Sequence, residues 1–82
     1  MMASNFLNKL KWTNRLDNCE IVIRHRGAEN DEKVIEGGTL TEVKRSYFSY
    51  MERGKEVTIP MHRILRIKVN DKVLWQRTRA GL

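Results

Sequence analysis

The chain is poor in everything that fixes structure covalently or forces tight turns. Of its 82 residues, one is cysteine, one is proline and five are glycine. A single thiol, Cys19, cannot close an internal disulfide or build a zinc site alone, which excludes a disulfide scaffold and a zinc ribbon. No uninterrupted apolar run exceeds three residues, Ile21-Val22-Ile23 being one. A helix crossing a bilayer needs roughly 20, so no membrane span is expected. The N-terminus lacks a basic region followed by an apolar stretch, so no secretory signal is expected. A free thiol without such a signal suggests the cytoplasm. With 40% hydrophobic and 32% charged residues, the chain is neither a disordered tail nor collagen-like. It reads as one small domain over 1–82, folded over 4–77 with a frayed tail at 78–82. A domain this size buries only roughly 60–65% of its unfolded surface.

What is present in excess is positive charge. Sixteen Lys and Arg oppose ten Asp and Glu, a net charge of +6. A basic surface favours polyanionic partners, nucleic acid first among them. Solubility is the plainer reading, and surfaces rich in Lys, Arg and Glu are ordinary in proteins of hot organisms.

Hydrophobic periodicity divides the chain. Phe6, Leu7 and Leu10 recur at helical spacing behind a candidate N-cap, Ser4, which predicts a short helix over 4–11 closed by Trp12. From Glu20 the period changes to two. The residues Glu20–Arg26, Glu32–Glu36, Thr41–Met51, Glu56–Met61, His62–Val69 and Lys72–Arg77 are predicted strands. Gly37-Gly38 supplies a turn, Glu52-Arg53-Gly54 a hairpin loop and Asn70-Asp71 a tight two-residue hairpin. Pro60 lacks an amide hydrogen and belongs at a strand edge or end. The expected fold class is α+β: one short N-terminal helix on a strongly bent, mostly antiparallel sheet, or a small partly closed barrel, of about six strands. Trp12 and Trp75 are expected as core anchors, since indoles usually fill the core of so small a domain. Cys19 is expected as a small buried hydrophobe.

Both histidines sit in His-Arg dipeptides, His25-Arg26 and His62-Arg63. On a pleated strand Ile21 and Ile23 share a face with His25, while Val22 shares the other with Arg24 and Arg26. Leu65, Ile67 and Val69 share a face with Arg63, and His62, Ile64, Arg66 and Lys68 lie opposite. One member of each dipeptide therefore falls in line with an apolar row. Burying an unpaired charge costs several kcal/mol, so that member must stand at a strand end, on a bulge or against a partner. Arginine offers a planar fork for a phosphate, and histidine adds a donor that becomes cationic near pH 6.5. Solvated strand ends would leave the same two dipeptides without function. Lys33 follows Glu29, Asp31 and Glu32, which offer it surface partners or orient a neighbouring arginine or histidine. Two adjacent carboxylates without histidine spacing do not make a metal site, so no metal or cofactor is expected.

Several segments together resemble a known family. They are Leu7-Asn8-Lys9-Leu10-Lys11-Trp12, Glu20 to Ala28, Asp31-Glu32-Lys33-Val34-Ile35, Ile59-Pro60-Met61-His62-Arg63-Ile64 and Val73-Leu74-Trp75. The chain resembles, from about Phe6 to Arg77, a small archaeal family of uncharacterised proteins whose domain also occurs in larger RNA-processing proteins. That domain is named for recognition of RNA cyclic-group ends. The resemblance implies an RNA-binding module for phosphorylated ends, 2′,3′-cyclic phosphates included, working in RNA processing or repair with partner proteins of that kind. It implies His25, Arg26, Gly27, Lys33, His62 and Arg63 as phosphate-binding positions. The family often carries an aromatic residue where Met61 stands. Two other readings remain open. His25 and His62 would serve a metal-independent phosphodiesterase or ribonuclease as general base and acid. An exposed strand edge would serve a protein-interaction adaptor, the basic charge being incidental.

Overall fold

A computed structural model describes residues 2–77. The first element follows from a stripe of small and aliphatic side chains. Ala3, Leu7 and Leu10 fall on one side of a helix, and all three are buried in helix α1, Ala3–Trp12. Because Ala3 belongs to that stripe, the helix starts ahead of the expected N-cap. Met2 is the capping residue and makes no side-chain cap, while Ser4 lies inside the first turn, 2% exposed. The helix closes where Thr13 donates its hydroxyl to the Lys9 and Leu10 carbonyls and Asn14 turns left-handed, φ 57°. Trp12 is not a core anchor. It follows Leu10 by two residues, about 200° around the helix axis, and faces water.

Seven strands follow: β1 (Cys19–Arg24), β2 (Glu32–Glu36), β3 (Leu40–Val43), β4 (Tyr47–Glu52), β5 (Lys55–Pro60), β6 (Ile64–Val69) and β7 (Lys72–Gln76). They form two antiparallel sheets, one in the order β2-β1-β6-β7 and one in the order β3-β4-β5. Neither sheet closes, so the expected barrel is corrected to two open sheets. The count also changes, because the stretch read as one strand over Thr41–Met51 folds back on itself. Lys44-Arg45-Ser46 interrupts it, Lys44 donates its amide to the Tyr47 carbonyl (2.8 Å), and Val43 pairs with Phe48. A run of β-formers cannot reveal such a reversal when its turn lacks glycine and proline. The two expected hairpins are present. Arg53-Gly54 and Asn70-Asp71 all take positive φ, between 51° and 78°, the twist that two-residue hairpin loops require.

Cys19, Ile21 and Ile23 of β1, Ile35 of β2, and Ile64, Ile67 and Val69 of β6 turn inward. They meet Phe48 and Tyr50 of β4, Ile59 of β5, Met61, and the α1 stripe in one core. Ile21 is central, pairing with Ile35 on one side and Ile67 on the other. Burial raises the Cys19 thiol to about 11, and Glu20 and Glu36 add to the effect, so the expected small buried hydrophobe is what Cys19 is. Trp75 packs half-buried against the core from β7.

The β1–β6 ladder carries a bulge that overturns the simple alternation. Val22 pairs with Arg66, but Ile23 pairs with Ile64, leaving Leu65 as the extra residue. Ile64 and Ile67 therefore both point inward despite a separation of three. Leu65 and Arg63, expected in line with Ile67, are only half-buried.

Candidate nucleic-acid interface

The pairing of Ile23 with Ile64 decides where the two His-Arg dipeptides lie. The strands are antiparallel, so Arg24-His25-Arg26 leave the sheet at the end where Met61-His62-Arg63 enter it. Neither dipeptide lies within a strand. β1 stops at Arg24, and Met61–Arg63 form a 3₁₀ turn before β6. Ending the strand is how the fold avoids burying the cation that alternation would have placed in the apolar row. His25, Arg26 and His62 are exposed and Arg63 is half-buried.

The first dipeptide is held by its own loop. The His25 amide donates to the Asp31 carbonyl (2.8 Å), the Ala28 amide to the His25 carbonyl (3.2 Å) and the Asp31 amide to the Ala28 carbonyl (2.8 Å). The Asp31 carboxylate accepts from the Gly27 amide at 3.2 Å. Gly27 has φ 94° and nothing within 4 Å of the place a Cβ would occupy, so backbone conformation, not space, calls for glycine. Its amide is already used by Asp31. Arg24, Arg26, Asn30, Asp31, Glu32 and Leu65 line a cleft of about 300 Å³. Its two carboxylates are engaged, Asp31 by Gly27 and Glu32 by an ion pair with Arg66. Among the described residues, the Arg24 and Arg26 guanidinium groups have no ion pair or hydrogen bond.

The second dipeptide is held from a distance. Arg77 donates through Nε to the Ile64 carbonyl and through Nη2 to the Met61 carbonyl, both at 2.8 Å. Its guanidinium lies 5.4 Å from the centre of the Trp75 ring. This grip spans the Met61–Arg63 turn and fixes how His62 leaves it. His62, Arg45, Trp75, Arg77 and Ser4 are among the residues lining a second cleft of about 630 Å³. The two histidines thus share one end of the sheet, and of the two clefts described His62 lines the second and His25 lines neither. Met61 is buried in the core and offers no face for stacking.

Lys33 and Arg66 are occupied. Lys33 Nζ reaches both oxygens of Glu52, at 2.9 and 2.7 Å, and sits 5.8 Å from the centre of the Tyr50 ring. This contact ties β2 to β4, one sheet to the other. The hydrogen bond to Glu52 raises the Lys33 pKa, and the same bond lowers that of Glu52. The partner of Lys33 is thus distant in sequence, while the nearby Glu32 orients Arg66 instead. Reading the sequence missed Arg24, Arg45 and Arg77 as members of this region. Arg24 stands two residues from Arg26, a same-face spacing that gave a usable signal. Arg45 and Arg77 lie outside any motif.

Among the described residues, no group of three or more His, Cys, Asp and Glu side chains is placed to hold a metal ion. No helix among them is long and apolar enough to cross a membrane. Over residues 1–77 the chain matches the family model described as the MJ1316 RNA cyclic group end recognition domain. It is similar to the UPF0248 protein MJ1316 of Methanocaldococcus jannaschii, 38% identical over 80 residues that cover 93% of this chain and 94% of that protein. It is similar to a UPF0248 protein of Thermococcus gammatolerans, 41% identical over 76 residues, 89% of this chain and 86% of that one. A UPF0248 protein of Saccharolobus islandicus is 31% identical over 81 residues, 94% of this chain and all of that one. No solved structure matches.

Proposed function

We propose that this chain, which belongs to the family of the MJ1316 RNA cyclic group end recognition domain, is an RNA-binding module for phosphorylated 3′ ends, 2′,3′-cyclic phosphates included. The observation that carries the reading is the register Ile23 to Ile64, which brings both His-Arg dipeptides to one end of one sheet. Arg24 and Arg26 face the cleft and take the terminal phosphate oxygens, each with a fork that fits two oxygens at once. His25 and Arg63 supply further donors from the rim. Gly27 shapes the loop, and Lys33 acts as the tie between sheets that keeps the loop in place. A cyclic phosphate carries one negative charge and no free 2′-hydroxyl. With the Asp31 and Glu32 carboxylates of the cleft already engaged, the two arginine forks favour it over an uncharged hydroxyl end. Processing or repair of RNA is the setting in which such ends arise.

The test is a titration against short RNAs that differ only in their 3′ end. Tighter binding of the cyclic-phosphate and phosphate ends than of the hydroxyl end is expected. With three or four cations meeting phosphates, log affinity should fall against log salt with a slope of roughly −2 to −3. Equal affinity for all three ends would reduce the reading to general RNA binding. The same cyclic-phosphate RNA should be recovered unopened. A monoester product would instead favour the two-histidine phosphodiesterase.

A further inference from the structure

Trp12 is 85% exposed at the last position of α1. An indole is the largest apolar surface a side chain can bury, and leaving it in water forgoes that gain. The surroundings of Trp12 are polar. Asn8, Lys11, Trp12 and Asn14 line a groove of about 510 Å³. The sequence of α1 contains no acidic residue. Lys9, Lys11 and Arg15 are exposed, and among the described residues none of them has an ion pair. Lys11 and Asn14 also line an adjoining groove of about 260 Å³ that reaches Leu16, Asp17, Gly37, Gly38 and Leu40. An exposed ring among cations and amides has the composition of a platform for unpaired nucleotides. Any base offers a face to the indole, the ammonium groups attract the phosphates, and the amides reach base edges. A surface meant for an apolar protein partner would surround its tryptophan with further apolar side chains, whereas the other residues lining the Trp12 groove are Asn8, Lys11 and Asn14.

We propose that Trp12 is a second RNA contact, stacking on an unpaired base upstream of the bound end, with Lys11 on the adjoining phosphate. This rests on the RNA-binding function proposed above. It also predicts a dependence on length. Beyond α1, the chain passes through Leu16–Asn18 into the start of β1, whereas Arg24 and Arg26 lie at and beyond its other end. Six residues of strand rise about 20 Å, more than one nucleotide spans. A short end fragment therefore reaches only the arginine cleft, and a longer strand reaches both.

Two probes separate the contacts: a cyclic-phosphate dinucleotide, and an unpaired RNA of about ten nucleotides with the same 3′ end. The unmodified chain should bind the longer RNA more tightly. Trp12→Ala should weaken the longer RNA roughly five- to a hundredfold and leave the dinucleotide unaffected, with unchanged thermal melting as the control for folding. Trp12→Phe should recover part of the loss, because a phenyl ring still stacks, and Trp12→Leu should not. RNA should also quench tryptophan emission less in Trp12→Phe than in the unmodified chain. Undiminished binding of the longer RNA by Trp12→Ala overturns the proposal. So does recovery by Trp12→Leu equal to that by Trp12→Phe, which would mark a merely apolar contact. If the dinucleotide fails to bind while Trp12→Ala still weakens the longer RNA, the end-recognition reading falls and the Trp12 contact stands.

Discussion

The two His-Arg dipeptides reach the same end of one sheet by different means. His25-Arg26 belongs to a loop that supports itself through hydrogen bonds made between residues 25 and 31. His62-Arg63 belongs to a turn whose first and following carbonyls, Met61 and Ile64, are held by Arg77 at the far end of β7. One is local, the other tertiary. The difference separates what should fail when each is disturbed: the loop can loosen without loss of the sheet, while the turn depends on β7 staying paired.

The largest effect should come from removing the distant support. Arg77→Ala deletes two charge-assisted hydrogen bonds and the contact with Trp75. It should cost about 2 kcal/mol, lowering the melting temperature by roughly 10 °C for a chain of this size. The His62 resonances should shift and those of His25 should stay in place. Unchanged melting together with an unmoved His62 would show that the turn holds itself. A smaller effect is expected in the loop. Gly27→Ala meets no neighbour, so its cost is the positive φ alone, about 1 kcal/mol. Faster amide exchange at residues 25–31, with residues 61–64 unaffected, would sharpen the contrast, whereas a neutral substitution would remove the need for glycine there. The smallest effect is on binding. Arg63→Lys keeps the charge but loses the planar fork, and should weaken a phosphorylated end by roughly threefold to tenfold. Arg66→Lys alters a residue already paired with Glu32 and should change binding little. Titrating both variants at one salt concentration gives the answer. Equal small losses would mean diffuse electrostatics and would separate Arg63 from the site.

Much of the fold was legible. The helix, both hairpins and the buried Cys19 follow from apolar spacing and turn residues, which act over a few positions. The misplacements share a cause. The chemistry of Ser4 suits a cap, yet the need to bury Ala3 starts the helix earlier. The size of Trp12 suggests the core, although its angle from Leu10 places it on the wet side. Ile64 and Leu65 exchanged faces because a bulge inserts one residue, and nothing in the local pattern marks a bulge that lacks glycine. The candidate site was legible as a set of residue types. Whether its members had partners was not.

The sequence by itself determined a small basic chain of one helix and short antiparallel strands. It also determined that one cation of each His-Arg dipeptide needed a strand end, a bulge or a partner, since an unpaired charge in an apolar row is too costly; the structure chose the strand end. Only the tertiary structure decided which cations are free. Lys33 is taken by Glu52, nineteen positions away, and Arg66 by Glu32, thirty-four positions away, while Arg24 and Arg26 face an open cleft. Such pairings depend on strand order and register, which arise from packing two sheets around one core and are not encoded within any single segment.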